Sequence, residues 1–251
     1  MDSPLAAIGI VALATALIAV PTVLWARYLA RRRTLWAGIL TNRVPENAAW
    51  WKSERSREGE LLYVAIGDSA AQGIGASLPR RSYVGLIAAH VRATTGRTVR
   101  VVNLSISGAT VGIALERQLP RLQKLAPDLV TVSIGANDIA TFDLARFEAQ
   151  VRELFAALPD GAIVADLPTF YFLPAEKRVR AANRVLRSVA AEHGLVVVPL
   201  HARMRVQGLW GVSTQFAGDL FHPNDRGYRV WASAFLPQVD RVLADRVGGR
   251  A

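Results

Sequence analysis

The sequence predicts an α/β fold, a parallel sheet covered by helices on both faces, preceded by one long apolar helix. Three observations carry this. From residue 61 onward, short apolar runs alternate with segments of helical periodicity. The runs stop on Gly, Asp, Asn and Ser, the residues that turn a chain at the end of a strand. Ahead of them, residues 5–25 are almost wholly apolar.

The first element is that apolar run. No charged residue occurs from Ser3 to Ala26, and about 20 apolar residues suffice to cross a bilayer as a helix. Residues 1–33 are therefore expected to form a membrane anchor with a basic flank. The alternatives are a cleaved signal peptide, disfavoured by Asp2 and the lack of Lys or Arg at the front, and a core helix, for which so uniform a run is unusual. Arg27, Arg31, Arg32 and Arg33 all come after the run. By the positive-inside rule this places the rest of the chain in the cytoplasm, with export and anchoring as the alternative. Residues 34–60 read as a juxtamembrane linker. Trp25, Trp36, Trp50 and Trp51 suit headgroup contact or packing against the domain equally.

The domain proper is expected over residues 61–251. Residues 61–67 form a buried strand ended by Gly67-Asp68-Ser69, where Asp68 and Ser69 suit a helix cap as well as a site. Residues 82–95 put Val84, Ile87, Ala88 and Val91 on one helical face. Residues 98–104 are the second strand, and 110–125 a helix that Pro120 bends or breaks. The third strand, 129–134, stops at Gly135-Ala136-Asn137-Asp138. A strong helix comes next over 143–158, with Phe147, Val151, Leu154, Phe155 and Leu158 on one face. Residues 162–167 are the fourth strand, 168–174 an aromatic loop, 175–193 a helix stopped by Gly194, and 195–200 the fifth strand. After a loop over 205–221, Pro223 opens a last helix to about Val247.

Composition narrows the chemistry. With no cysteine, disulfides, thiolate catalysis and cysteine-bound metal are excluded. The formal charge of +10 comes mostly from arginine, with no dense basic block beyond Arg31-Arg32-Arg33, so nucleic acid is not an expected partner. No His-Glu-x-x-His occurs, and Gly73-Ile74-Gly75 lacks the Lys and Ser/Thr of a phosphate loop; its glycines serve a turn. No cofactor and no metal are expected.

In a parallel sheet, four segments meet at the carboxyl rim: Gly67-Asp68-Ser69, then 103–110 with Gly108, then Gly135-Ala136-Asn137-Asp138, then Asp219-Leu220-Phe221-His222-Pro223. A hydrolytic serine needs a base, and neutral histidine suits that role. The histidine needs an acceptor to fix its tautomer. Asp219 and His222, three apart, supply both from one turn. The tetrahedral oxyanion needs donors, for which the Ser69 and Gly108 N–H groups and the Asn137 amide are candidates. The remaining histidines, His90, His193 and His201, have no evident partners, and Ser105 and Ser107 read as loop hydrogen-bonders. Asp138 suits a helix cap or support of the Asn137 loop. Phe170, Tyr171, Phe172, Leu209, Trp210 and Phe216 suit an acyl pocket or ordinary packing.

These four blocks resemble the SGNH hydrolases, also called GDSL esterases/lipases, over essentially residues 61–251. The resemblance implies a flavodoxin-like three-layer α/β/α sandwich with a five-stranded parallel sheet. It implies Ser69 as nucleophile, His222 as base, Asp219 as the triad acid, and Ser69, Gly108 and Asn137 as the oxyanion hole. The first block carries Ala70-Ala71-Gln72-Gly73 where Leu-Thr-x-Gly is usual, a departure that bears on the nearby substrate pocket. The expected activity is hydrolysis of a lipid, lysophospholipid or small acyl ester through an acyl-enzyme. An acyltransferase using the same residues, or a membrane-tethered binding protein that has kept the fold, are the alternatives.

Overall fold

The computed structural model describes residues 4–171 and 174–248. Helix α1 (Pro4–Asn42) runs into α2 (Val44–Arg55), and strand β1 (Leu61–Gly67) comes after them. A one-turn helix α3 (Ser69–Gln72), α4 (Tyr83–Thr95) and β2 (Val99–Asn103) come next. The segment after β2 is α5 (Val111–Ile113), a π-helical turn (Ala114–Gln118) and α6 (Leu119–Leu122). Then come β3 (Leu129–Ser133), α7 (Leu144–Ala156), β4 (Ile163–Ala165), α8 (Ala175–Glu192) and β5 (Val196–Val198). Helices α9 (Leu200–Arg205), α10 (Gly208–Thr214) and α11 (Asp225–Gly248) complete the described chain.

The five strands form one parallel sheet in the order β2-β1-β3-β4-β5. Its two faces arise from the two-residue alternation of side chains. Tyr63, Ala65, Ile163, Ala165 and Val198 point to the side covered by α4 and α11. Val64, Ile66, Val130, Val132 and Val164 point to the side covered by α7 and α8. Because both faces are dry, the strands read as continuous apolar runs. Tyr83 stacks on Phe235 with ring centroids 5.2 Å apart, joining α4 to α11. This is the flavodoxin-like α/β/α sandwich, and its strand order reverses between β1 and β3, where such sheets open a crevice.

Local departures from the periodicity have physical causes. Pro120 does not break its helix. The π-helical turn Ala114–Gln118 precedes it and absorbs the missing N–H. Strands β4 and β5 span three residues each, and Leu200 already begins a helix. The loop expected over 205–221 contains α10, which opens on Gly208 at φ 54.

The membrane anchor is overturned. Among the described residues no helix is long and apolar enough to cross a membrane. The apolar run is not a separate element: it continues within α1 through Arg27, Arg31, Arg32 and Arg33 to Asn42. The end of that rod packs on the domain, with Leu40 buried against Ile74 and Ala217. The cytoplasmic placement and the membrane as a partner rested on a flanked span and go with it. Trp51 is buried and donates its indole N–H to the Gln72 carbonyl, whereas Trp25 is exposed and stacks on Tyr28.

Candidate active site

Strand β1 delivers the first residue. Asp68, just past its end, accepts a hydrogen bond from the Ala70 N–H at 2.9 Å and caps α3. Ser69 is therefore the first residue of a helix, where N–H groups lack intrahelical acceptors. A side-chain amide holds the strand end: Gln118, fully buried, accepts from the Gly67 N–H at 3.0 Å and donates to the Gly67 carbonyl at 2.9 Å. At the other end of α3, Asn47 and Trp51 both donate to the Gln72 carbonyl at 3.0 Å, and Asn103 donates to that of Ala71.

The Asp219–His222 turn is built to one conformation. Phe216 and Pro223 form an antiparallel bridge, and the Ala217 N–H donates to the His222 carbonyl at 2.8 Å. Within it, Leu220 takes a left-handed φ of 58, uncommon for a bulky residue. Gly75 lies against the turn at φ 96, and a Cβ there would meet the Pro223 carbonyl oxygen. The Trp36 ring of α1 lies on Gly218, so the N-terminal helix presses on the residue before Asp219.

The turn faces Ser69. His222 Nε2 is 2.8 Å from Ser69 Oγ, and its Nδ1 is 2.6 Å from Asp219 Oδ2. The other Asp219 oxygen accepts from the N–H groups of Phe221 at 3.2 Å and His222 at 3.1 Å. Burial raises the Asp219 carboxyl, but the bond to His222, that ring's charge and the turn N–H groups outweigh it and hold the group below its ordinary 3.8. An ionised Asp219 accepting from Nδ1–H leaves Nε2 with its lone pair toward the serine hydroxyl.

Asn137 begins a 3₁₀ turn after β3. Its Nδ2 donates to the Ala109 carbonyl at 2.9 Å and reaches Asp68 Oδ2 at 3.4 Å, touching the neighbours of both Gly108 and Ser69. The second of these bonds is long and weak. Gly108 sits at φ 78 with open space where a Cβ would be, so backbone conformation as well as substrate access favours glycine there. Its N–H has no acceptor among the described residues. Asp138 accepts from the Val111 N–H at 3.1 Å, tying the Asn137 turn to the start of α5. The four segments foreseen at the rim thus meet, Ser69, Gly108, Asn137, Asp219 and His222 among them.

Two other features left no trace in the sequence pattern. Gln118 and the Trp36–Gly218 contact have no local signature. Asp68 does more than cap: burial pushes its carboxyl up to about 6, while the Ala70 N–H and the His222 charge pull it down. His90 and His201 do have partners, Asp240 at 2.6 Å and Glu176 at 2.8 Å. Ser105 bonds Asn103 at 2.6 Å, a loop contact as expected. Phe221 stands edge-on to His222 and Phe170 edge-on to Phe221. Leu209 and Trp210 are exposed, Tyr171 bonds the Met204 carbonyl, and Phe172 lies outside the described residues. No cluster of three or more metal-ligating side chains occurs among the described residues.

A flavodoxin-like sheet with a serine, a histidine and a carboxylate in line at its carboxyl rim defines the class: an α/β hydrolytic enzyme of esterase type. The profile of the GDSL-like lipase/acylhydrolase family matches residues 65–230, and the chain belongs to this family. It is 32% identical over 171 residues to esterase TesA of Pseudomonas aeruginosa, covering 65% of this chain and 79% of that protein. It is 26% identical to the GDSL-like esterase Rv1075c of Mycobacterium tuberculosis, covering 78% and 67%. Among solved structures, LAE5, an alpha/beta hydrolase enzyme from the metagenome of Lake Arreo, superposes with a TM-score of 0.61 at 27% identity, covering 75% of this chain and 99% of that one.

Proposed function

We propose that the enzyme hydrolyses carboxylic esters through an acyl-enzyme on Ser69. The observation that carries this is the unbroken relay from Asp219 Oδ2 through His222 to Ser69 Oγ, with both links at hydrogen-bond distance. Ser69 Oγ attacks the acyl carbon as His222 Nε2 takes its proton. Asp219 stays ionised and stabilises the imidazolium. The oxyanion is met by the N–H groups of Ser69 and Gly108 and by Asn137 Nδ2, which exchanges its weak bond to Asp68 for a stronger one. His222 returns the proton to the leaving alcohol. Water, activated by the same imidazole, then releases the acid and restores the serine.

The edge-on column of Phe170 and Phe221 beside His222 supports an apolar acyl group on the substrate. The test is hydrolysis of p-nitrophenyl esters of increasing acyl length by the full chain, with Ser69→Ala as control. Activity lost in the control and an optimum beyond acetyl are expected. Activity that survives Ser69→Ala removes the mechanism. If folded protein hydrolyses none of the esters, labelling of Ser69 by a fluorophosphonate separates a narrow acyl acceptor from a fold kept only for binding.

A further inference from the structure

Two of the oxyanion donors are hung from a single residue, Gly67. Ser69 comes two residues after it in the chain. The Gly67 carbonyl accepts from the Ile106 N–H at 3.2 Å, and the Ala109 N–H donates back to the Ile106 carbonyl at 3.0 Å, closing the turn that carries Gly108. Gly67 has no side chain with which to anchor itself, and none would fit. A Cβ there would meet the Ala71 side chain and the Ser133 carbonyl.

The backbone ladder is interrupted at this point. Strand β1 pairs with β2 as far as Ala65 opposite Asn103, and the Ala65 carbonyl accepts from the Leu104 N–H at 2.8 Å. In an evenly spaced parallel ladder the next rung would run from the Gly67 N–H to the Leu104 carbonyl. That N–H goes instead to Gln118 Oε1 at 3.0 Å, and Gln118 Nε2 returns a bond of 2.9 Å to the Gly67 carbonyl. The fully buried amide thus stands in for one rung of backbone, and the chain after β2 is released there into the loop that bears Gly108. Both lone pairs of the Gly67 carbonyl are filled, one by Ile106 and one by Gln118. The helix is shaped to deliver this side chain: Gln118 ends the π-helical turn Ala114–Gln118. Each residue of an α-helix advances by about 100°, so the extra residue of a π turn decides which side chain faces β1.

We propose that Gln118 is a positioning residue for ester hydrolysis, its amide fixing the Ser69 N–H against the Gly108 N–H at the separation the oxyanion requires. This rests on the acyl-enzyme reading given above. Misplacing reacting groups by about 1 Å can cost about 10²-fold in rate. Gln118 touches no substrate, so its loss should fall on kcat rather than on KM. Acylation and deacylation both pass through an oxyanion, so kcat reports the hole whichever step is slower.

Steady-state hydrolysis of p-nitrophenyl butyrate by the full chain tests this, with thermal unfolding to show that each variant is folded. Gln118→Met, which fills similar space without either bond, should lower kcat by about 10² and leave KM little changed. Gln118→Glu separates the bonds from the shape. At pH 5 burial keeps its carboxyl protonated, and a protonated carboxyl has the donor and the acceptor that Gly67 needs. Measured against wild type at that pH, it should hold kcat to within about fivefold. Should Gln118→Met not fold, Gln118→Asn takes its place; one methylene too short to reach both groups, it should lose at least about tenfold in kcat. Wild-type kcat in the folded Met or Asn variant overturns the proposal and leaves the acyl-enzyme reading standing. So does a Gln118→Glu enzyme at pH 5 that is no faster than that variant. Activity that survives in Ser69→Ala defeats the acyl-enzyme reading and the proposal with it.

Discussion

Asp68→Asn should make the enzyme more stable and less active, and burial sets the size of the first effect. In the folded protein the carboxyl is 5% exposed and titrates at about 6 rather than at 3.8. A pKa raised by folding means the native state holds the proton more tightly than the unfolded chain. The contribution is therefore fully present below the unfolded value near pH 4 and is lost as pH rises through about 6. Above that, ionised Asp68 costs folding roughly 3 kcal/mol, at 1.36 kcal/mol per pH unit. Asparagine keeps the oxygen that caps Ala70 without the charge. It loses the weak bond from Asn137, about 1 kcal/mol at most. Net stabilisation at pH 8 is then about 2 kcal/mol, or some 4–8 °C in Tm for a chain of this size, and it vanishes near pH 4. Urea denaturation monitored by circular dichroism from pH 4 to 8 measures it. A difference that does not change with pH would refute the reasoning, because it would place the effect in packing rather than ionisation. Turnover should fall, since no carboxylate at position 68 then stabilises the positive charge that His222 acquires in the transition state.

The remaining predictions concern the groups around the relay. Asn137→Ala should lower kcat by about 10²–10³ with little change in KM, and near-normal turnover would strike it from the oxyanion hole. Among the described residues Asp219 is the partner of His222 Nδ1 and no backbone carbonyl shares it, so Asp219→Asn should cost about 10³–10⁴ in kcat. A loss under tenfold would mean another group orients the ring. Asp219 is held below 3.8; its stabilising contribution is present above that value and is lost as pH falls below it, so Asp219→Asn should cost more stability at pH 7 than at pH 3. Trp36→Ala should lower kcat several-fold and speed amide exchange in residues 217–222, with a loss of about 1–2 kcal/mol of stability for a half-buried indole. Unchanged exchange in that turn would show that α1 does not support it.

The placement of the rim segments was legible because most of them come directly after strands. The run from Leu61 to Gly67 ends where its apolar pattern ends, and the residues after each strand of a parallel sheet lie at one edge. The pairing of Asp219 with His222 lay within one turn, so their spacing alone brought them together. Residues 34–60 were misleading for the opposite reason. The buried positions of α2 are Asn47, Trp51 and Glu54, at helical spacing but with two polar residues among three. A hydrophobic pattern cannot find such a face, because its burial is satisfied by hydrogen bonds and charge. Asn47 and Trp51 serve the Gln72 carbonyl, and Glu54 pairs with Arg57 at 3.0 Å. The polar residues that made the segment read as a linker are thus the ones that fasten it beneath the nucleophile's helix. Any truncation starting beyond Asn47 removes one of the two side-chain donors that satisfy the last carbonyl of α3.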